Sequence, residues 1–235
     1  MLKKWDQLPQ QLKIEEIRPY YDVLDKKRGS LVLKRLFDIV VSAILLILLS
    51  PVILVLSVAI KVDSRGPVFY RQERYTQYGR KFKIHKFRSM CDGADKKGAL
   101  VTVGNDMRIT RVGKVVRKCR LDEIAQLIDV FKGDMTFVGV RPEVKKYVDE
   151  YETEWLATFL LPAGVTNLTC IYFKDEDELL SGVEDVDKVY VEDVLPRKMK
   201  WNLKGIKEFS FLNDIKLMFM TFFAVCGKEY REEEC

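Results

Sequence analysis

The sequence predicts a mainly helical chain with minor β structure, in which a broken membrane helix precedes a small α/β unit and further amphipathic helices. Three observations carry that expectation. An uncharged, almost wholly apolar run extends from Ile39 to Ile60 and is interrupted by Ser50-Pro51. Short alternating segments, Val68-Phe69-Tyr70 and Phe82-Lys83-Ile84, are set off by Gly66-Pro67 and Tyr78-Gly79. Apolar residues then recur at helical spacing from Lys114 to Phe131.

The apolar run is long enough to span, because a bilayer core of about 30 Å needs roughly 20 helical residues. It begins some way into the chain with no small-residue cleavage pattern behind it, so it reads as a retained anchor and not a signal peptide. Two features argue against a simple crossing. Pro51 removes a backbone donor in mid-segment and kinks a helix at a cost of about 3 kcal/mol if uncompensated, while Ser50 stands ready to bond a freed carbonyl. Both flanks are also basic: Arg18, Lys26, Lys27, Arg28, Lys34 and Arg35 lie upstream, and Lys61, Arg65, Arg71, Arg74 and Arg80 lie downstream. Basic flanks stay on the cytoplasmic side. A re-entrant helix that enters, breaks at Ser50-Pro51 and returns to the same face satisfies both features. A single kinked transmembrane helix is the alternative that the segment allows.

Beyond the anchor, the alternating segments fit small strands joined by turns. The polar stretch from Asp92 to Asp106 reads as a loop. Val115, Cys119, Ile124, Leu127, Ile128 and Phe131 define a helix over Lys114 to Phe131, with Gly133 suited to its C-cap. A second helix is expected from about Glu143 to Leu160, ending before Pro162, with Trp155, Phe159 and tyrosines suited to a membrane interface. Phe209 to Cys226 is dense in Phe, Met and Leu, but its unbroken apolar part after Lys216 is too short to cross. It reads as an interfacial helix or an ordinary core helix.

Composition narrows the function classes. With 48% hydrophobic and 32% charged residues over 235 positions, the chain suits one core with a small satellite and is no disordered tail. Lysine and arginine number 40 against 35 acids, and a net charge of +5 is too small to imply nucleic acid unless the basic residues cluster. The five cysteines are scattered without a close pair, which fits a reducing compartment and offers no zinc or dithiol site. One histidine, His85, disfavours histidine triads and histidine-ligated metals and leaves carboxylate and magnesium chemistry open.

Asp122 and Glu123 fall inside the helical pattern, flanked by Arg117, Lys118 and Arg120. Helical neighbours point about 100° apart, so the two carboxylates reach one ion or substrate from adjacent directions. An acid pair on a helix is ordinarily a solvated face. Arg71, Arg74, Lys86, Arg88 and Arg141 distinguish this one, because such cations hold phosphate oxygens in charge-assisted bonds. A pyrophosphate needs that neutralisation before a carboxylate approaches phosphorus. Lipid headgroups are the competing ligand for any one of these arginines.

Five blocks in order carry a resemblance. They are Lys34-Arg35-Leu36-Phe37-Asp38 with Ser50-Pro51; Gly66-Pro67-Val68-Phe69 followed by Arg71-Gln72-Glu73-Arg74; Lys86-Phe87-Arg88-Ser89-Met90; Leu121-Asp122-Glu123; and Lys132-Gly133-Asp134-Met135 leading into Val138-Gly139-Val140-Arg141-Pro142-Glu143. Together they are similar to the bacterial sugar transferases, the monotopic polyprenyl-phosphate phosphoglycosyl transferases that initiate polysaccharide and glycoprotein glycan assembly. Pro162-Ala163-Gly164-Val165-Thr166 and Asn213-Asp214-Ile215-Lys216 also look like family blocks. The family usually has proline where this chain has Ala125 and Val140, and more often glycine where it has Asn167.

Residues 1–33 form a basic N-terminal extension that matches nothing assignable. The resemblance implies a re-entrant membrane helix-break-helix hairpin over 34–62. A small cytoplasmic α/β catalytic domain over 63–150 and a membrane-interfacial helical region over 151–235 follow. It also implies transfer of a sugar 1-phosphate from a UDP-sugar to undecaprenyl phosphate, releasing UMP, at the cytoplasmic face of the bacterial inner membrane, in exopolysaccharide or other glycoconjugate assembly. Asp122 would attack the phosphorus and carry the phosphosugar. Glu123 would assist through Mg2+, which both acids would hold. Arg71, Arg74, Lys86, Arg88 and Arg141, with Pro142 beside it, would bind phosphates or nucleotide. Membrane lipids are further partners and nucleic acid is not, while the sugar, the pathway and a homodimer stay open. The alternative from another class is a non-enzymatic membrane-anchored adaptor binding anionic lipids. An RNA-binding membrane protein is disfavoured by dispersed aromatics and modest charge.

Overall fold

A computed structural model describes residues 2–94, 106–173, 185–228 and 230. Three single-turn 3-10 helices (Trp5–Gln7, Gln10–Leu12, Glu15–Ile17) lead into α1 (Arg18–Asp25). Leu2, Leu8, Leu12, Ile17, Tyr20 and Leu24 from this segment are buried in one core with Tyr147, Trp155, Phe159, Tyr190 and Met199. The basic extension is therefore packed against the distal half of the chain and contributes apolar residues to its interior.

Two helices follow, α2 (Arg28–Leu48) and α3 (Ser50–Asp63), bent 61° to each other. Pro51 stands in the first turn of α3, where a missing N–H costs no helical bond. Ser50 Oγ donates to the Ile47 carbonyl at 2.8 Å, the compensation anticipated from the sequence. No single helix among the described residues is long and apolar enough to cross a membrane, and this bent pair passes that test only together. Leu36, Val40, Ile44, Ile47, Leu48, Leu54, Val55 and Val58 are exposed on it, an apolar surface of the kind that marks a membrane or partner contact.

The base of the hairpin is tied to the rest of the chain by the Lys34–Asp38 block. β3 (Met135–Val138) lies beside it, and α10 (Phe211–Val225) closes the joint. Lys34 Nζ donates to the Val138 carbonyl at 2.7 Å and to Asp214 Oδ2 at 2.6 Å. Asp38 accepts from Thr136 Oγ1 at 2.7 Å and from the Phe137 N–H at 3.2 Å. These charges are buried, and burial is tolerable because Lys34 is paired with Asp214 and Asp38 accepts two hydrogen bonds.

β1 (Phe69–Thr76) and β2 (Arg80–Phe87) form an antiparallel hairpin, as the alternating segments predicted, with Tyr78 and Gly79 both at positive φ in the turn. His85 on β2 is structural: its N–H and ring Nδ1 both meet the Asp129 carboxylate, at 2.8 and 2.6 Å. Asp92, Gly93 and Asp106 are described outside helices and strands, Ala94 is in a 3-10 turn, and the rest of the expected loop, 95–105, lies outside the described residues.

The helix expected over Lys114 to Phe131 is three pieces. α4 (Arg111–Lys118), capped by Thr110 Oγ1, ends in a turn where Arg120 adopts a left-handed φ of 50°. A 3-10 helix (Leu121–Gln126) and α5 (Leu127–Lys132) follow, and Gly133 closes α5 at φ 87° as expected. The break lets Val116 and Ala125 pack together against Ile60 and Phe87, which a straight helix does not allow. The expected helix from Glu143 to Leu160 is also interrupted, as α6 (Lys145–Val148) and a 3-10 helix (Thr153–Leu160). Trp155 and Phe159 are not at a surface; both are buried, with the Tyr151 ring stacked on Phe159 at 5.7 Å. Burial of those rings in the core prevailed over the helical repeat.

β4 (Ala163–Thr166) pairs parallel with β3, and α7 (Leu168–Tyr172) follows. α8 (Val186–Val189) continues through a π-helical turn (Tyr190–Val194) into α9 (Leu195–Lys207) and then α10. Asp214, Leu217 and Met220 of α10 face inward, while Leu212, Phe219, Phe222 and Phe223 are exposed, so it is at once a core helix and an apolar surface.

Candidate active site

The 3-10 turn after Arg120 delivers Asp122 and Glu123 to the wall of a cavity of about 890 Å³. Three residues per turn set neighbouring side chains about 120° apart, wider than the α-helical spacing assumed from the sequence. Lys86 reaches the same wall from β2, and Arg141 from the loop after β3. That loop is held to β4 by the Gly139 N–H to the Thr166 carbonyl at 3.0 Å and the Gly164 N–H to the Val140 carbonyl at 2.8 Å. Gly164 has to be glycine, because a Cβ there would lie 2.1 Å from the Gly139 oxygen.

The two carboxylates differ in their partners. Arg141 Nη2 donates to Glu123 Oε1 at 2.5 Å, and Lys86 Nζ lies 3.5 Å from the same oxygen. Burial alone would raise the Glu123 carboxyl, but the Arg141 guanidinium and Lys86 overcome it and hold it at about 2. Glu123 in turn raises Arg141. Asp122 makes no ion pair among the described residues, and its carboxyl is pushed up, chiefly by burial and secondarily by Glu123, with Lys86 drawing it back. Lys86 is itself lowered by burial and by the nearby Arg141.

Six cations line the cavity: Lys86, Arg117, Lys118, Arg120, Arg141 and Lys198. Asp122 and Glu123 are the only carboxylates on its described walls. Thr166, Thr169, Cys170, Phe173 and Thr221 supply neutral lining. A cavity with this balance receives anions.

Four residues singled out from the sequence, Asp122, Glu123, Lys86 and Arg141, are thus brought together. Arg71, Arg74, Arg88 and Pro142 do not line the cavity. Arg71 donates across the hairpin to the Lys83 carbonyl, and Arg74 donates to the Pro142 carbonyl at 3.0 Å, supporting the Arg141 loop from behind. Arg88 is buried and donates to the carbonyls of Arg65 at 2.7 Å and Ser64 at 2.8 Å. Pro142 faces a small crevice beside Tyr151 and Phe159. Sequence reasoning missed Lys198, a buried lysine whose only trace in the sequence is its place on the apolar face of α9 between Leu195 and Met199.

No group of three or more His, Cys, Asp or Glu residues converges among the described residues. An all-protein metal cage is therefore absent from them. Mg2+ is commonly held by one or two carboxylates with substrate phosphates completing its shell, and Asp122 with Glu123 fits that smaller requirement.

A family profile described as bacterial sugar transferase matches residues 29–228. The chain belongs to that family. Residues of the chain are 36% identical over 195 positions to the UDP-N-acetylgalactosamine-undecaprenyl-phosphate N-acetylgalactosaminephosphotransferase of Aeromonas hydrophila, covering 80% of this chain and 42% of that protein. They are 34% identical over 198 positions to the UDP-glucose:undecaprenyl-phosphate glucose-1-phosphate transferase of Klebsiella pneumoniae, covering 83% and 40%. A Caulobacter vibrioides protein of the same name as the latter is 31% identical over 191 positions, covering 80% and 67%. The chain thus spans about two fifths of the length of the first two relatives.

The family blocks acquire physical roles. Lys34 to Asp38 join the hairpin to β3, and the Arg141 loop seats the cation that neutralises Glu123. The departure at Asn167 needs no glycine, because φ is −166° there and the side chain caps α7 by accepting from the Cys170 N–H at 2.9 Å.

Proposed function

We propose that this protein transfers a sugar 1-phosphate from a UDP-sugar to undecaprenyl phosphate, releasing UMP, through a covalent phosphosugar on Asp122. The observation that carries the reading is the contrast within the dyad: Glu123 is taken up by Arg141 and Lys86, while Asp122 faces a six-cation cavity without an ion pair among the described residues. The relatives' names give the donor and acceptor classes.

In the first step a carboxylate oxygen of Asp122 attacks the phosphorus that bears the sugar. The phosphoanhydride P–O bond breaks, and UMP leaves with the electron pair. In the second step an oxygen of the polyprenyl phosphate attacks the same phosphorus, the aspartyl P–O bond breaks, and the carboxylate is restored. Splitting one transfer into two displacements is ordinary nucleophilic catalysis. Arg141 and Lys86 hold Glu123 ionised and remain close enough to meet phosphate oxygens, and Arg117, Lys118 and Arg120 extend the cationic wall. Mg2+ held by Asp122 and Glu123 would neutralise charge on the phosphates.

The bent hairpin, with its exposed apolar faces and basic flanks, supports a re-entrant insertion at the cytoplasmic face of the inner membrane, which keeps the cavity within reach of lipid headgroups. Such a site would start a glycoconjugate on its lipid carrier. The test is UMP release from a panel of UDP-sugars, with undecaprenyl phosphate and Mg2+, by the detergent-solubilised chain and its Asp122→Asn variant. Release with at least one donor, abolished in the variant, is expected. No release from any donor, or release that survives in the variant, returns the chain to the adaptor class.

A further inference from the structure

A polyprenyl phosphate has to bring its phosphate to Asp122 while its isoprenoid chain stays out of water. One element meets both conditions. Thr221, Ala224 and Val225 of α10 line the cavity, whereas Leu212, Phe219, Phe222 and Phe223 of the same helix are exposed. Among the large apolar side chains exposed in the described residues, only Val225 also lines the cavity. The α2–α3 hairpin, which carries most of the exposed apolar surface, contributes no residue to the cavity wall.

α10 is also fixed to the hairpin. Phe211 packs edge-on against Phe37 at 5.6 Å, and Asp214 pairs with Lys34 at 2.6 Å. Exposed apolar side chains thus stand on both elements that meet at this joint, and on α10 they extend to Val225, which lines the cavity. Exposed phenylalanines are costly in water, and each is stabilised by an apolar cover. An acceptor whose head is anionic and whose tail is isoprenoid matches both ends of this surface: cations inside the cavity, phenylalanines outside it.

Resting on that reading of the site, we propose that the outer face of α10, from Phe219 to Val225, is the track on which the acceptor's isoprenoid chain lies. The outer face of the helix then serves acceptor selection, while the donor depends on the cavity wall and not on Phe222 or Phe223.

The test uses the whole chain in phosphatidylethanolamine–phosphatidylglycerol vesicles, comparing it with a Phe222→Ser/Phe223→Ser variant. Two acceptors are offered, undecaprenyl phosphate and a short, water-soluble prenyl phosphate. The apparent KM for the long acceptor is expected to rise at least about tenfold in the variant while the short one barely changes, since what is lost is apolar contact with the tail. Single-turnover UMP release without acceptor reports that the donor site is still assembled. An equal rise for both acceptors, or no rise for either, overturns the proposal. A photoreactive prenyl phosphate should label α10 of the unaltered chain; labelling of the hairpin alone also overturns it. A variant that leaves the vesicles but keeps its long-over-short preference in detergent assigns the face to bulk lipid, again against the proposal. If the unaltered chain releases UMP from no donor, the reading of the site itself fails, and the inference with it.

Discussion

The guanidinium of Arg88 fills the space beside Gly66. A Cβ added at position 66 would lie 1.9 Å from Arg88 Nη1, and Gly66 itself sits at a φ of 124°. Two sequence blocks that look independent are thus one packing unit, in which the residue after β2 clamps the chain leaving the bent α2–α3 pair.

That unit predicts that Arg88→Lys acts on stability and not on substrate. A lysine keeps the charge but cannot bond the Ser64 and Arg65 carbonyls together, a loss on the order of 2 kcal/mol. The thermal midpoint in detergent should fall by several degrees with the donor KM unchanged. A raised donor KM at an unaltered midpoint would restore Arg88 to the phosphate-binding set.

Acid pH should silence the enzyme through Asp122. Its carboxyl lies above the ordinary aspartate value, chiefly through burial, while Lys86 pulls it down, so Lys86→Met should move the acid limb of UMP release to higher pH. Glu123 titrates elsewhere: its folded value of about 2 lies below the ordinary 4.5, so the stability it contributes is present above that ordinary value and is lost only as pH falls toward 2. Single-turnover rates against pH for both chains check this. A limb that stays put, or moves to lower pH, contradicts it.

Much of the site was legible because the blocks are local. Asp122-Glu123, Lys86 and Arg141 were named from their neighbours, and the Ser50-Pro51 break from helix chemistry alone. What was not legible depends on pairing across the chain. Arg74 and Arg88 look the same in sequence whether they bond phosphate or a carbonyl, and only the fold shows the Pro142 and Ser64 oxygens in front of them. Arg120 in a left-handed turn has no local signature, so the pattern through 114–131 reads as one straight helix. Tyr147, Tyr151, Trp155 and Phe159 repeat every four residues like a helix face, yet the core holds them through two short helical turns with a break between.

The bend in the hairpin is expected to set topology. Ser50→Leu/Pro51→Leu removes both the missing donor and the hydroxyl that bonds Ile47, leaving a continuous apolar helix long enough to span. Labelling of single cysteines placed before α2 and after α3, in intact cells, should find the native chain protected at both flanks and the variant labelled at one. Labelling of the native N-terminus from outside would show a crossing helix instead.

The Arg141 loop depends on residues far along the chain. Tyr190 Oη donates to Glu143 Oε1 at 2.8 Å, Lys198 Nζ donates to Tyr190 Oη at 2.9 Å, and Arg74 lies 3.8 Å from the other Glu143 oxygen. One carboxylate is shared by two cations and a phenol, all bracketing the segment that presents Arg141 to Glu123. Removing the Tyr190 hydroxyl leaves Glu143 short of a buried donor, a cost of about 1–3 kcal/mol. Tyr190→Phe and Lys198→Met should each raise the donor KM several-fold, and Lys198→Arg should recover part of the loss by keeping the charge. A purely structural cluster would lower the thermal midpoint and leave the KM of the folded enzyme where it was. Because Lys198 itself lines the cavity and Tyr190 does not, the ratio of KM change to midpoint change in Tyr190→Phe decides whether the distal helices position Arg141.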